Sequence, residues 1–242
     1  MCGICGELKF KEYSFNEEKL TTLMGSISNR GRDSNGIFRN DDIFLGHHRL
    51  SIIDTSNKSN QPMKVGNYII IFNGIIYNYI DLRNKLIAKG HVFNSSGDTE
   101  VIIKMFIEYG NNCVNHLDGV FSFCIYDTTK KNIFLARDRF GIKPLYYSIN
   151  EKHIVFSSSV KGIINYKNNK QINPIALNYQ FTLHSAVPAP HTIISGINKL
   201  EPGCIMNISK SGKKYINRYF DIEKIEISDL SDIEIIEKSK FL

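Results

Sequence analysis

VFSFCIYDTTKKNIFLARD, residues 120–138, reads as two strands closed by a Lys-Lys-Asn turn. PLYYSI (144–149) and HIVFSSS (153–159) repeat the pattern across Asn150-Glu151-Lys152, and GCIMNIS with KKYINRY gives a final hairpin around Ser211-Gly212. This half of the chain is therefore mostly β, broken by a short helix expected at 173–182, where Pro174 suits a first helical turn. Upstream the punctuation changes. After a short apolar start at Gly3 to Leu8, Asn16 can cap a helix with Leu20, Leu23, Met24 and Ile27 on one face, expected to stop at Gly31. Strands are expected at Ile43 to Gly46, Arg49 to Ile53 and Tyr68 to Phe72, then a helix from Tyr79 to Lys89 that closes at Gly90. A second helix should start near Asp98, with Val101, Ile102, Met105 and Phe106 at helical spacing and Gly110 as its stop. Hairpins mixed with helices favour α+β layers over a parallel nucleotide-binding sheet.

With 242 residues, 42% hydrophobic and 22% charged, the chain suits one large domain with a buried core, or one domain with an appendage. No apolar run approaches the roughly 18 residues that cross a bilayer, and the start lacks a basic segment followed by a hydrophobic one, so a cytoplasmic protein is expected, with no membrane partner. The net charge of +6 is scattered in single and paired basic residues, which reads as solubility and not as a nucleic-acid surface. Residues 221–242 stand apart: they carry a net −4 and leave +10 on the rest. Five cysteines, scattered and odd in number, fit reduced thiols better than a disulfide framework.

Cys2 follows the initiator methionine. Removal of Met1 would put a thiol and a free α-amine on one residue, a nucleophile with its own base, because an α-amine has a reference pKa of about 7.7 to 8.0. Cys2 and Cys5 also form a Cys-x-x-Cys pair, which admits a redox or zinc reading. A closed zinc site needs two further ligands, and neither a second Cys-x-x-Cys nor a His-x3-His spacing occurs, so no metal is expected. Cys5 reads as a small buried strand residue. The adjacent His47 and His48 would point to opposite strand faces, and all seven histidines read as structural or exposed.

Five further segments stand in order behind the Cys-Gly-Ile start: RGRDSNG (30–36), GHHRLSIID (46–54), FNGIIYNYIDLR (72–83), GDTEVI (97–102) and LARDRFGIKPLYY (135–147). Together they resemble the glutaminase domain of glutamine-hydrolysing asparagine synthetase, a class II glutamine amidotransferase with an N-terminal nucleophile, over roughly residues 2 to 220. The resemblance implies a four-layer α/β/β/α sandwich of the N-terminal-nucleophile hydrolase type, with glutamine as substrate and Cys2 forming a glutamyl thioester. It implies that Arg49 binds the α-carboxylate through its planar fork, that the backbone of Leu50, Ser51, Ile52 and Ile53 lines the same pocket, and that Asp98 accepts the α-ammonium. Asn73 and Gly74 would form the oxyanion hole. By itself Asn73-Gly74 reads as a turn, Asp98 as a helix cap and Arg49 as a surface charge.

The sequence also departs from the family pattern. Ile75 stands where the family usually has a glutamate that shares the substrate ammonium, and Arg32 stands where proline is typical. The Ser-Gly-Gly-x-Asp-Ser phosphate loop of the synthetase domain is missing, so no cofactor is expected in this chain, and ATP and magnesium are expected only for a synthetase partner. The acidic tail 221–242, helical over Ser231 to Leu242, reads as a linker or the start of that module. The competing expectation is a degenerate glutamine-binding or regulatory module, or a truncated remnant, without turnover.

Overall fold

The computed structural model describes residues 1–168, 170–222 and 231–240. In chain order the elements are β1 (Gly3–Lys9), α1 (Glu17–Gly25), β2 (Ser34–Arg39), β3 (Ile43–Arg49), β4 (Met63–Val65), β5 (Tyr68–Ile76), α2 (Tyr79–Ala88), α3 (Asp98–Tyr109), β6 (Gly119–Asp127), β7 (Asn132–Arg137), β8 (Tyr146–Ile149), β9 (His153–Ser157), α4 (Val160–Lys167), α5 (Pro174–Thr182), β10 (Asn198–Lys199), β11 (Cys204–Ile208), β12 (Lys214–Arg218) and α6 (Asp232–Ser239). The strands form two six-stranded sheets, ordered β10-β8-β9-β1-β3-β2 and β12-β11-β7-β6-β5-β4. Every pairing in them is antiparallel.

Period-2 side-chain alternation turns these sheets into four layers. Ile4 and Leu8 of β1, Ile43 and Leu45 of β3, and Ile69 and Ile71 of β5 share one core with Cys124, Tyr126 and Met206, packed between the sheets. The opposite face of β5 and β6, with Ile70, Phe72, Phe123 and Ile125, packs under Leu82 and Leu86 of α2 and Val101, Ile102 and Met105 of α3. The outer face of the first sheet, with Cys5, Phe44 and Val155, packs under Leu20 and Leu23 of α1 and Ile163 of α4. The α/β/β/α order expected from the resemblance is the order observed.

Local chemistry sets the element ends. Asn16 Oδ1 accepts the Lys19 N–H at 3.0 Å and starts α1. That helix stops at Gly25, short of the Gly31 expected, because the Ser26 and Ser28 hydroxyls take the Leu23 and Gly25 carbonyls and a 3-10 turn follows at Ser28–Arg30. α3 ends at Gly110, whose φ of +56° suits glycine. In the turn of the 120–138 hairpin, Asp127 Oδ1 accepts the N–H groups of Thr129 and Lys130. The expected strand from Arg49 to Ile53 is not formed: β3 runs through Arg49 and the chain then leaves the sheet. β2, β4 and α4 were not expected from the pattern. The tail helix is observed over Asp232–Ser239, and residues 241–242 of the expected helix lie outside the described residues.

Candidate active site

The faces that meet between the sheets are apolar in the middle and polar at one end. Along β3 the inward positions run Ile43, Leu45, His47, Arg49, and along β5 they run Ile69, Ile71, Asn73. Cys2 stands just ahead of β1, two residues before Ile4, so the alternation that buries Ile4 and Leu8 carries the sulfur toward this polar end. A cavity of about 110 Å³ opens there, lined by Cys2, Arg49, Leu50, Ile52, Ile53, Asn73, Gly74 and Asp98 among others. Eight of the nine expected site residues are thus brought together. Ser51 is the ninth and is not among the lining residues; its N–H donates to Asp33 Oδ2 at 2.7 Å, tying the 30–36 segment to this wall.

The sulfur sits against the first loop residue after β3. Leu50 N–H donates to Cys2 Sγ at 3.4 Å, and Sγ lies 3.6 Å from the Leu50 carbonyl. Burial pushes the thiol up from its ordinary range, while the Leu50 hydrogen bond, the chain-terminal charge and Arg49 pull it down. Cys5 points to the opposite face of β1, into the core under α1, and is fully buried. The two cysteines therefore cannot act as a dithiol or as joint metal ligands in this fold. Among the described residues no cluster of three His, Cys, Asp or Glu side chains gathers as a metal site.

Arg49 explains why β3 does not continue. Its Nη1 donates to the Ser56 carbonyl and to Asn60 Oδ1, both at 2.8 Å, and Nη2 donates to the Asp54 carbonyl. The loop 50–60 is wrapped around the guanidinium, and no strand can satisfy those carbonyls in the same way. Asp54 locks the loop from its other side: its carboxylate accepts the N–H groups of Ser56 and Ser96 and the Ser59 hydroxyl. Those bonds outweigh its partial burial and hold it well below the usual carboxylate range.

Asn73 and Gly74 do not form a turn. They lie within β5, opposite Ser122 and Phe121 of β6. A Cβ on Gly74 would meet the Val120 carbonyl oxygen at 2.2 Å, so the glycine is there to let β6 approach. Asn73 is fully buried; its Nδ2 lies a long 3.5 Å from Ser122 Oγ and its Oδ1 has no partner, so the amide is not committed to the scaffold. Asp98 is the first residue of α3 with Gly97 as the cap. Burial raises its pKa to about 6 against the pull of the Ile76, Asp98 and Thr99 N–H groups.

Two residues left out of the expected site hold it together. Gln61 accepts the Phe72 N–H at 2.6 Å and donates to Thr99 Oγ1 at 3.0 Å, fixing the residue before Asn73 and the residue after Asp98 with one amide. The one cue in the sequence was the Gln-Pro pair after the loop. His47 Nε2 donates to the Phe72 carbonyl at 3.1 Å across the sheets, and burial pushes its pKa down to about 3, which keeps it a neutral strut. The structural reading of this histidine fits its geometry.

A family model described as "Glutamine amidotransferase domain" matches residues 1–220. Glutamine-hydrolyzing asparagine synthetase 3 of Bacillus subtilis (strain 168) is 34% identical over 238 residues, covering 96% of this chain and 38% of that protein. Glutamine-hydrolyzing asparagine synthetase 1 of the same organism is 37% identical over 225 residues, covering 91% and 35%. The chain therefore spans little more than about a third of the length of these two relatives. Among solved structures, the glutamine phosphoribosylpyrophosphate amidotransferase from B. subtilis complexed with ADP and GMP matches with a TM-score of 0.66 at 20% identity, covering 90% of this chain and 49% of that one. Identity that low speaks for the fold alone, the four-layer sandwich of the N-terminal-nucleophile type. The family model spans both sheets and every residue of the cavity wall, and the chain belongs to the glutamine amidotransferase domain family.

Proposed function

We propose that this chain hydrolyses the side-chain amide of glutamine through Cys2 and supplies the ammonia to an ATP-dependent synthetase module for asparagine synthesis. The observation that carries this reading is the convergence of Cys2, Asn73, Arg49 and Asp98 on one cavity. Arg49 and Asp98 offer one cation and one anion to a zwitterion, and the sulfur and the uncommitted Asn73 amide are left for its far end.

Once Met1 is removed, the Cys2 α-amine takes the thiol proton. The thiolate attacks the amide carbon, and the oxyanion is held by Asn73 Nδ2 and the Gly74 N–H. The α-ammonium returns its proton to the leaving nitrogen and ammonia departs from a glutamyl thioester. The amine then takes a proton from water, hydroxide attacks the thioester, and glutamate leaves as the sulfur regains its proton. Arg49 and Asp98 hold the substrate's two charges throughout.

Residues 2–220 make up this glutaminase unit, and 221–242 lead toward the synthetase module, to which ATP and magnesium belong; the unit itself needs no cofactor. Among the described residues no helix is long and apolar enough to cross a membrane. Ile75 favours a second reading, glutamine binding without turnover, because the wall beside Asp98 has an apolar side chain where the family has a glutamate. Glutamate release from glutamine by Met1-free protein, wild type against Cys2→Ala and with or without the synthetase module, tests the choice. Turnover that needs Cys2 supports hydrolysis, and equal rates in the two proteins reject the nucleophile.

A further inference from the structure

Lys143 is a buried cation that the mechanism above does not use. It lines the cavity, is 9% exposed, and its Nζ donates to Met1 Sδ at 3.3 Å. Among the described residues no carboxylate lies within 4.0 Å of it. A thioether is a weak acceptor, and this one belongs to the residue that processing removes. The position is nonetheless firmly built. Asp138 accepts the N–H groups of Phe121, Phe140, Ile142 and Lys143, and Arg137 donates to the Gly141 and Lys143 carbonyls at 2.6 and 2.9 Å. Two ionic side chains thus fix one loop whose only contribution to the cavity wall is the Lys143 side chain.

We propose that Lys143 is a positioning residue for the nucleophile: with Met1 gone, its ammonium faces the Cys2 terminus and favours the thiolate and the unprotonated amine together. The proposal deepens the glutaminase reading and rests on it. A neighbouring cation favours negative charge on sulfur and disfavours a second positive charge on the amine, so the thiolate forms at lower pH and the amine rests free of a solvent proton, though as a weaker base. Other elements face the same terminus with charge. Arg30, in the turn after α1, donates through Nε to the Cys2 carbonyl at 3.0 Å; Arg49 comes from β3, Asp54 from the following loop and Asp98 from α3. Arg49 is tied to loop carbonyls and Asp54 to N–H groups, Arg30 gives Nε to the Cys2 carbonyl and keeps a buried Nη2 without a partner, and Lys143 loses its Met1 acceptor when Met1 leaves.

The test uses Met1-free wild type, Lys143→Met and Lys143→Arg. Iodoacetamide alkylation of Cys2 is followed against pH by intact mass, beside the pH profile of glutamate release. Cys5, Cys113, Cys124 and Cys204 are buried, so the adduct reports Cys2. In Lys143→Met the alkylation midpoint should move up by about one pH unit, with labelling at pH 7 about tenfold slower, while Lys143→Arg stays within about threefold of wild type. An unshifted midpoint in folded Lys143→Met, or an equal loss in both variants, overturns the proposal. If Lys143→Met does not fold, Lys143→Gln is read by the same criterion. Alkylation needs no glutamine, so a shifted midpoint in a protein that shows no turnover counts against the glutaminase reading and leaves the role of Lys143 standing.

Discussion

Asp98 Oδ2 accepts the backbone N–H of Ile76 at 3.1 Å, so the buried carboxylate that opens α3 is anchored to the strand residue next to Ile75. Asp98 and Ile75 line the same cavity, so a carboxylate and an apolar side chain stand on one wall. Burial has raised Asp98 to about 6, so it is ionised at neutral pH but close to taking up a proton. In the proposed reading the glutamine ammonium is held by the ionised form. KM for glutamine should therefore rise by about tenfold per pH unit as pH falls below about 6. The stability consequence has the opposite sense. A carboxyl group whose folded pKa is raised stabilises the protein fully below the unfolded value near 4, and that contribution is lost as pH rises through about 6. Asp98→Asn should thus raise Tm at pH 7.5 while weakening glutamine binding by at least about tenfold. Melting curves and KM measured on the same preparation check both halves.

Ile75→Glu should lower KM for glutamine by about 10- to 100-fold with kcat changed much less, since the added carboxylate would hold the ammonium equally in the ground and transition states. Steady-state kinetics at pH 8, where Asp98 is ionised, is the relevant measurement. An unchanged KM would mean that Ile75 does not face the substrate ammonium.

Asn73→Ala should leave KM within a few-fold and reduce kcat by about 10²- to 10³-fold, the usual loss for one oxyanion donor. A drop confined to KM would place Asn73 on the ground-state substrate instead.

Gly74→Ala tests the strand reading of the Asn-Gly pair. The added methyl would lie 2.2 Å from the Val120 carbonyl oxygen, which is backbone and cannot swing aside. β6 has to shift, at a cost of about 1 to 3 kcal/mol, seen as a lower Tm together with lost turnover. In a turn with open space the same substitution would be nearly neutral.

The parts of this site that rest on side-chain pattern are legible in the sequence. Apolar alternation placed β5 and the 120–138 hairpin, helical spacing placed α3, and the ordered motifs gathered Cys2, Arg49, Asn73 and Asp98. The 50–60 loop was not legible, because it is shaped by backbone carbonyls gathering on the Arg49 guanidinium, and carbonyls carry no residue signature. The Arg49 to Ile53 segment, apolar at Leu50, Ile52 and Ile53, therefore read as a strand. β2 alternates between half-buried and exposed side chains with little apolar contrast, so its pattern was silent. Gln61 was overlooked for a related reason: its importance lies in bridging Phe72 and Thr99, which are far apart in sequence.

The central claim is that the terminus exposed by loss of Met1 is the nucleophile, and covalent trapping tests it most directly. Met1-free and Met1-retaining protein would each be incubated with a diazoketone analogue of glutamine and read by intact mass and peptide mapping. The expected result is one adduct, on Cys2, in the Met1-free protein alone, blocked by excess glutamine. Met1-free protein that keeps an unlabelled Cys2, with the synthetase module present, would contradict it.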